Sequence, residues 1–188
     1  MSTSAKTFIA MIRKLTAKVE AIRADQSGVS AIEFAFFVGL LVFGMLNVAD
    51  VSIYIYKRMQ VENATEMGAQ AAWQACDLNH LPATTNCPGL ATAVQNAIQS
   101  TSLGTQVSLQ SGYPAEGYYC VDSSGALVYV SDTSTKPLDC TAAGTSTLQP
   151  ADYVKVATTF SYTPLFSGIT VASAFGTQIT DTALMRLD

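Results

Sequence analysis

Residues 34–46 read FAFFVGLLVFGML, thirteen consecutive positions without a polar side chain. A helix rises 1.5 Å per residue and needs about 20 mostly apolar residues to cross bilayer hydrocarbon. Thirteen alone fall short, but the run extends both ways. Residues 29–49 are interrupted only by Ser30, Glu33 and Asn47. Tyr54 and Tyr56 follow, then Lys57 and Arg58, and rings followed by cations suit a membrane–water interface. The run is apolar on every face, and one small domain has too little surface to cover it as a core helix. A cleaved secretory signal is the remaining use of such a stretch. Asn47-Val48-Ala49-Asp50 offers no small-x-small cleavage pair, however, and the basic region ahead is long. The run therefore predicts a transmembrane helix.

Charge divides around this run. Residues 1–28 carry five basic and two acidic side chains, a balance of +3; residues 57–188 carry five basic and ten acidic ones, a balance of −5. A basic head before an apolar span is the pattern that stays cytoplasmic. The same head without a span would raise nucleic-acid binding, but no stripe of aromatic and basic residues accompanies it. Phe8, Ile12, Leu15, Val19 and Ile22 are spaced four, three, four and three, which marks one face of a helix able to lie on an anionic surface. An unstructured leader is the alternative reading of these residues.

Asp25-Gln26-Ser27-Gly28 breaks that pattern, and from there no proline occurs until Pro82. Residues 57–75 are rich in helix formers, which predicts one long helix from about 29 to about 75. Val61, Ala64, Met67, Ala71 and Ala75 are expected to form its small, apolar stripe. Pro82 and Pro88 mark a loop, and LATAVQNAIQS (90–100) predicts a short amphipathic helix. Beyond Gln106, Thr, Ser, Val, Tyr and Gly dominate. Strands are predicted near 106–110, 117–121, 126–130, 153–162, 169–173 and 177–186. In VKVATTFSY (154–162), Val154, Val156, Thr158, Phe160 and Tyr162 alternate onto one side, as in an antiparallel sheet with one buried face. Residues 131–149 read as an exposed loop. The expected fold class is α+β: a long N-terminal transmembrane α-helix continuing into a periplasmic domain, with a short helix packed on an antiparallel β-sheet. The expected parts are a basic leader (1–28), a transmembrane helix (29–56), a periplasmic extension of it (57–76) and a β-rich head (77–188).

Cys76, Cys87, Cys120 and Cys140 all follow the span, which suits an oxidising compartment beyond the membrane. Four cysteines allow three connectivities. Cys76–Cys87 with Cys120–Cys140 is favoured because each pair closes the nearest loop, worth about 2–4 kcal/mol per bridge. No C-x-x-C pair supports zinc. His80 is the sole histidine, and no G-x-S-x-G, Walker or H-E-x-x-H pattern occurs. Neither a cofactor, a metal nor an enzyme is indicated. Asp122 and Asp132 read as turn residues. Asn47 and Asp50 lie three apart near the far end of the span. They read as headgroup-region residues, or alternatively as polar glue to a partner helix.

Residues 28–34 read GVSAIEF. A carboxylate within a span costs about 2.5–3.5 kcal/mol at the centre and less near an interface. Glu33 therefore either snorkels to the headgroups or has a task. Glycine, four residues, then Glu-Phe resembles the site cut by prepilin peptidases in type IV and Flp pilin classes. The resemblance implies a cut after Gly28, so that Gly28 and Val29 flank the scissile bond. It makes Glu33 the fifth-position glutamate of the mature chain and Phe34 the aromatic that follows it. A new amine on Val29 would then be neutralised by a neighbouring subunit's Glu33, a pair that gives register more than stability.

Residues 28–73 as a whole resemble TadE-like proteins: GVSAIEFA, an apolar stretch, Asn47 to Asp50, Tyr56, Gln60, Asn63-Ala64, Glu66, Ala69 and Ala71-Ala72. Residues 154–166 and the closing Ala183-Leu184-Met185-Arg186 look, more loosely, like that family's terminal strands. Residues 77–150 carry no resemblance. Major Flp pilins are far shorter, so the large head argues against the main fibre subunit. The resemblance implies a minor pseudopilin for tight-adherence (Flp/Tad) pili and surface attachment. Its expected partners are a prepilin peptidase, other pilins and pseudopilins, the Tad inner-membrane machinery and the lipid bilayer, with no nucleic acid. Its expected place is the bacterial inner membrane, single pass, with the N-terminus cytoplasmic and the C-terminal domain periplasmic, and the pilus or cell surface after assembly. The alternative is an uncleaved single-pass anchor that presents a periplasmic scaffold or binding module of the Tad apparatus.

Overall fold

The structure is a computed structural model and describes residues 27–188. The amphipathic pattern predicted over 1–24 lies outside the described residues. One uninterrupted helix, α1, runs Ser27–Ala75, as the absence of proline and the supply of helix formers dictate. The chain divides into two compact units at Val48/Ala49.

In the first unit the described residues are the apolar part of α1. Its side chains stand in the open on every face: Phe34 is 71% and Phe37 68% exposed, and Leu40, Phe43 and Met45 are exposed as well. Leaving a Phe, Leu or Met side chain in water forfeits roughly 1.5–3 kcal/mol. A helix uncovered all round is thus unsuited to water and suited to lipid. It is long and apolar enough to cross a membrane, with a mean hydropathy of 2.2 over its most apolar window.

The second unit is an α+β domain. The C-terminal part of α1 and α3 (Leu90–Gln99) bury apolar side chains in one core with a five-stranded antiparallel sheet. A single helical turn, α2 (Ala83–Asn86), connects them. The strands are β1 (Val107–Leu109), β2 (Ala115–Val121), β3 (Leu127–Ser131), β4 (Ala151–Ser161) and β5 (Gln178–Arg186). The eleven-residue β4 organises them. β5 pairs along it from Ser161↔Gln178 to Tyr153↔Arg186. The opposite edge takes β1 at Thr158–Phe160 and β2 at Ala151–Lys155, and β3 adds outside β2. Val154, Val156, Thr158, Phe160 and Tyr162 are all buried, so the alternation read from the sequence is the core face of the central strand. α3 contributes Leu90, Val94 and Ile98 to the same core.

Two sequence expectations are corrected. The buried face of α1 is not the stripe through Met67, Ala71 and Ala75. It runs through Val61, Ala64, Thr65, Gly68, Ala69 and Ala72, while Met67 is 40% exposed. A search for apolar residues passes over Thr65 and Gly68, which set the face. Thr65 donates its hydroxyl to Val61 O at 2.8 Å, and its oxygen lies 2.6 Å from Thr158 Oγ1. With its one proton committed to Val61, Thr65 accepts from Thr158, and both buried hydroxyls are satisfied. Gly68 allows close approach: a Cβ there would stand 2.8 Å from Ile98 Cγ1 and 3.3 Å from Val156 Cγ1. The second correction is the strand predicted over 169–173. Val171–Ala174 is a 3₁₀ turn. Its backbone closes on itself through Ser173 N–H to Thr170 O and Phe175 N–H to Ala172 O, both 3.2 Å, and no ladder partner is used.

Gly68→Val should therefore overpack the junction of α1, α3 and β4 and destabilise the second unit by about 1–3 kcal/mol. Gly44→Val, at a position with open space around it, should leave that unit's unfolding unchanged. Denaturant unfolding of the detergent-solubilised full chain, followed by near-UV circular dichroism, checks both.

Candidate functional site

Gly28 and Val29 lie on α1 (Ser27–Ala75). A Cβ added at Gly28 would meet no atom within 4 Å, and Val29 is 57% exposed. Glu33 and Phe34 are exposed on the same helix. Val29 and Glu33 are four residues apart and so share a face, one turn from each other. Among the described residues nothing covers the Gly28–Phe34 segment.

The far end of the apolar run holds what sequence reasoning missed. Asn47 turns its amide back on its own helix, with Nδ2 donating to Phe43 O at 2.9 Å. Asp50 is fully buried. Its Oδ1 accepts the Leu165 N–H at 2.9 Å, its Oδ2 accepts the Thr170 hydroxyl, and its backbone carbonyl lies 3.4 Å from Tyr162 Oη. Beside it, the Tyr54 ring meets Tyr162 edge-on at 5.0 Å and Phe175 at 4.5 Å. A buried carboxyl must be hydrogen-bonded to be tolerable, and here its donors come from the segment between β4 and β5. The structure gives Asp50 a role that neither sequence reading included: it clasps that segment to α1. Only its helical spacing was visible in the sequence, because its donors lie over a hundred residues away.

The cysteines are joined as Cys76–Cys87 and Cys120–Cys140, with Cα separations of 5.8 and 5.7 Å. The first bridge fastens the end of α1 to the residue after α2. The second fastens β2 to the segment after β3, and both of its cysteines are buried. Residues 131–149 are accordingly pinned at Cys140, whose N–H also donates to Leu148 O at 3.0 Å. Among the described residues no group of His, Cys, Asp and Glu is arranged to hold a metal ion, and His80 is exposed at the end of a 3₁₀ turn. Asp122 and Asp132 accept from the N–H and hydroxyl of Ser124 and Ser134 respectively, as turn-forming aspartates do.

A second buried carboxyl lies in the sheet. Asp152, 3% exposed, has Oδ1 without a hydrogen-bond partner. Burial, reinforced by the negative Glu116 and Asp188, raises its pKa to about 7 against the opposing pull of Lys136. Glu116 is itself held as an acceptor by the N–H groups of Ala83 and Thr84 (2.8 and 2.7 Å) and by the Thr84 hydroxyl. Asp188 pairs with Lys136 at 3.3 Å.

A family model described as TadE-like protein matches residues 28–70. That family is associated with Tad pilus assembly and is generally not enzymatic. No curated protein and no solved structure matches the chain.

The raised pKa of Asp152 has a definite sign. Between the ordinary carboxyl value of 3.8 and about 7, the folded chain holds a proton that the unfolded chain has released, so stability is greatest below that window and falls as pH rises through it. The slope from this group is at most about 1.4 kcal/mol per pH unit. Asp152→Asn should flatten the dependence, gaining stability relative to the parent at pH 8 and not at pH 4. Urea unfolding of the solubilised chain at the two pH values measures it.

Proposed function

We propose that this chain is a minor pseudopilin required for assembly of tight-adherence (Flp/Tad) pili and for surface attachment, matured by a prepilin peptidase at Gly28–Val29. The observation that carries the proposal is that the TadE-like match begins at Gly28, the residue before the scissile bond, and runs on through the exposed apolar helix. Residues 1–28 act as a cytoplasmic leader, 29–56 as the span, 57–76 as its periplasmic extension and 77–188 as the head. The inner membrane is the site of insertion, and the two disulfides beyond the span support a periplasmic placement for the head.

The chemistry at the new N-terminus follows from position. Cleavage leaves a cationic amine at the N-terminal end of a helix, where the macrodipole is also positive. Glu33, one turn on, offers a compensating carboxylate, and a neighbouring subunit's Glu33 does the same once spans pack together. In lipid such a pair has no cheaper partner in water, so it selects register among packed helices. Glu33 and Phe34 are thus processing and assembly residues, and the partners are the peptidase, other pilins and pseudopilins, and the Tad inner-membrane machinery.

A second reading has one observation in its favour: the Gly28–Val29 bond lies inside α1, whose helical geometry begins at Ser27. In that reading the chain is an uncleaved single-pass anchor presenting the head to the Tad apparatus. The two readings separate on the mature N-terminus. Sequencing of protein from its native membrane should begin at Val29, and Gly28→Ala should retain the leader, seen as an increase in size on immunoblots. An intact leader in the parent protein, with no size change in Gly28→Ala, would establish the anchor instead. Glu33→Ala should then be tolerated, whereas the pseudopilin reading has it impair piliation and attachment.

A further inference from the structure

Residues 156–180 contain no charged side chain, although the head as a whole is acidic. The part of this stretch between β4 and β5 exposes large apolar side chains: Leu165 is 65%, Ile169 58% and Val171 59% exposed. Part of that stretch is the buried end of β4, but the loop itself (162–177) is charge-free too, and three large aliphatic side chains exposed within seven residues of one loop call for a partner.

Three features indicate which one. The loop is clasped to Asp50 through the Leu165 N–H and the Thr170 hydroxyl, and Asp50 is one residue past the apolar run 29–49. Tyr54 lies beside that clasp, and Tyr56, 59% exposed, follows it with Lys57 and Arg58 next. Aromatic rings and then cations at the end of a span mark the interfacial layer. The loop's exposed side chains are uncharged: Leu165, Ile169, Val171 and Phe175 are apolar, and Thr163, Ser167 and Ser173 carry only hydroxyls, a mixture suited to the headgroup–acyl boundary.

We propose that residues 163–176 form a second membrane contact of the head, placing Leu165 and Ile169 in the interfacial layer of the leaflet from which α1 emerges. The occupant of this surface is lipid. The contact rests on the reading of α1 as membrane-spanning through its apolar run 29–49 and deepens it: the head is held against the bilayer by a loop as well as by its helix. Asp50 is the positioning residue, since it fixes the loop beside the end of the apolar run.

The test uses the full chain in phosphatidylcholine nanodiscs whose acyl chains are brominated, in a Trp73→Phe background that removes the single native tryptophan. Leu165→Trp and, independently, Ile169→Trp report on the loop, Phe43→Trp reports on the span, and Leu138→Trp reports on a head position that is 94% exposed. A side chain lying about 5–10 Å into the boundary should lose roughly half its emission to the brominated lipid. Quenching at 165 or 169 together with 43, and not at 138, is the expected result. Bright emission at 165 and 169 with quenching at 43 would overturn the loop contact and leave the span standing. Bright emission at 43 as well would remove the span and the proposal together. Emission at 165 and 169 shielded from aqueous iodide but untouched by brominated lipid would assign the loop to a protein partner and overturn the proposal.

Discussion

The carboxyl group of Asp50 stands where an apolar rod becomes a folded domain. It is the last place a charge-bearing side chain would be expected to disappear from water, because a buried carboxyl without donors costs several kcal/mol. Here the cost is met by the Leu165 N–H and the Thr170 hydroxyl, while Tyr162 reaches the backbone carbonyl of the same residue. The consequence reaches well beyond one hydrogen-bonded group. β4 ends at Ser161, and the chain must return as β5 at Gln178. The Asp50 clasp fixes that return against α1, and the Tyr54–Tyr162–Phe175 rings pack beside it. The central strand, its longest partner and the helix are thereby tied at one end of the sheet, and the Thr65–Thr158 hydroxyl pair ties helix to strand farther along.

This arrangement explains what could be read from the residues and what could not. The apolar helix was legible because hydropathy is a sum over neighbours and needs no knowledge of the fold. The extent of α1 was legible because nothing between Ser27 and Ala75 interrupts a helix. β4 was legible because Val154, Val156, Thr158, Phe160 and Tyr162 alternate strictly. The buried face of α1 was misplaced because Thr65 and Gly68 enter the core for reasons that apolarity does not register: one by spending its hydroxyl inside the helix and on β4, the other by having no side chain. The strand-like composition around 169–173 suggested a strand, but Thr170 turns to Asp50 and the backbone closes into a turn. The Asp50 clasp itself could not be read, since it joins residues 115 and 120 positions apart, and no local pattern carries that distance.

The candidate site divides along the same line. The segment 28–34 lies on an exposed helix, without a tertiary partner among the described residues of its unit. Its meaning is therefore carried by residue type and spacing, which is also why a family match can begin there. The head is held together by long-range contacts and two disulfides, and over 77–150 its sequence points to no relative. An exposed helical segment is constrained by residue type and spacing, whereas a folded unit can preserve its fold through many sequences that satisfy the same burial and hydrogen bonding. The shared rod and the unfamiliar head are what that difference in constraint produces.

Amide hydrogen exchange at Leu165 tests the central interaction most directly. In the parent chain the Leu165 N–H is held by the Asp50 carboxyl. Asp50→Ala removes a hydrogen bond worth about 1–3 kcal/mol when one buried partner is left unpaired. Protection at Leu165 should then drop by roughly 10- to 100-fold, with Val154 and Val156 in the body of β4 much less affected. Equal protection at Leu165 in the two proteins would contradict the account, for the loop would then be held against the helix by something other than that carboxyl.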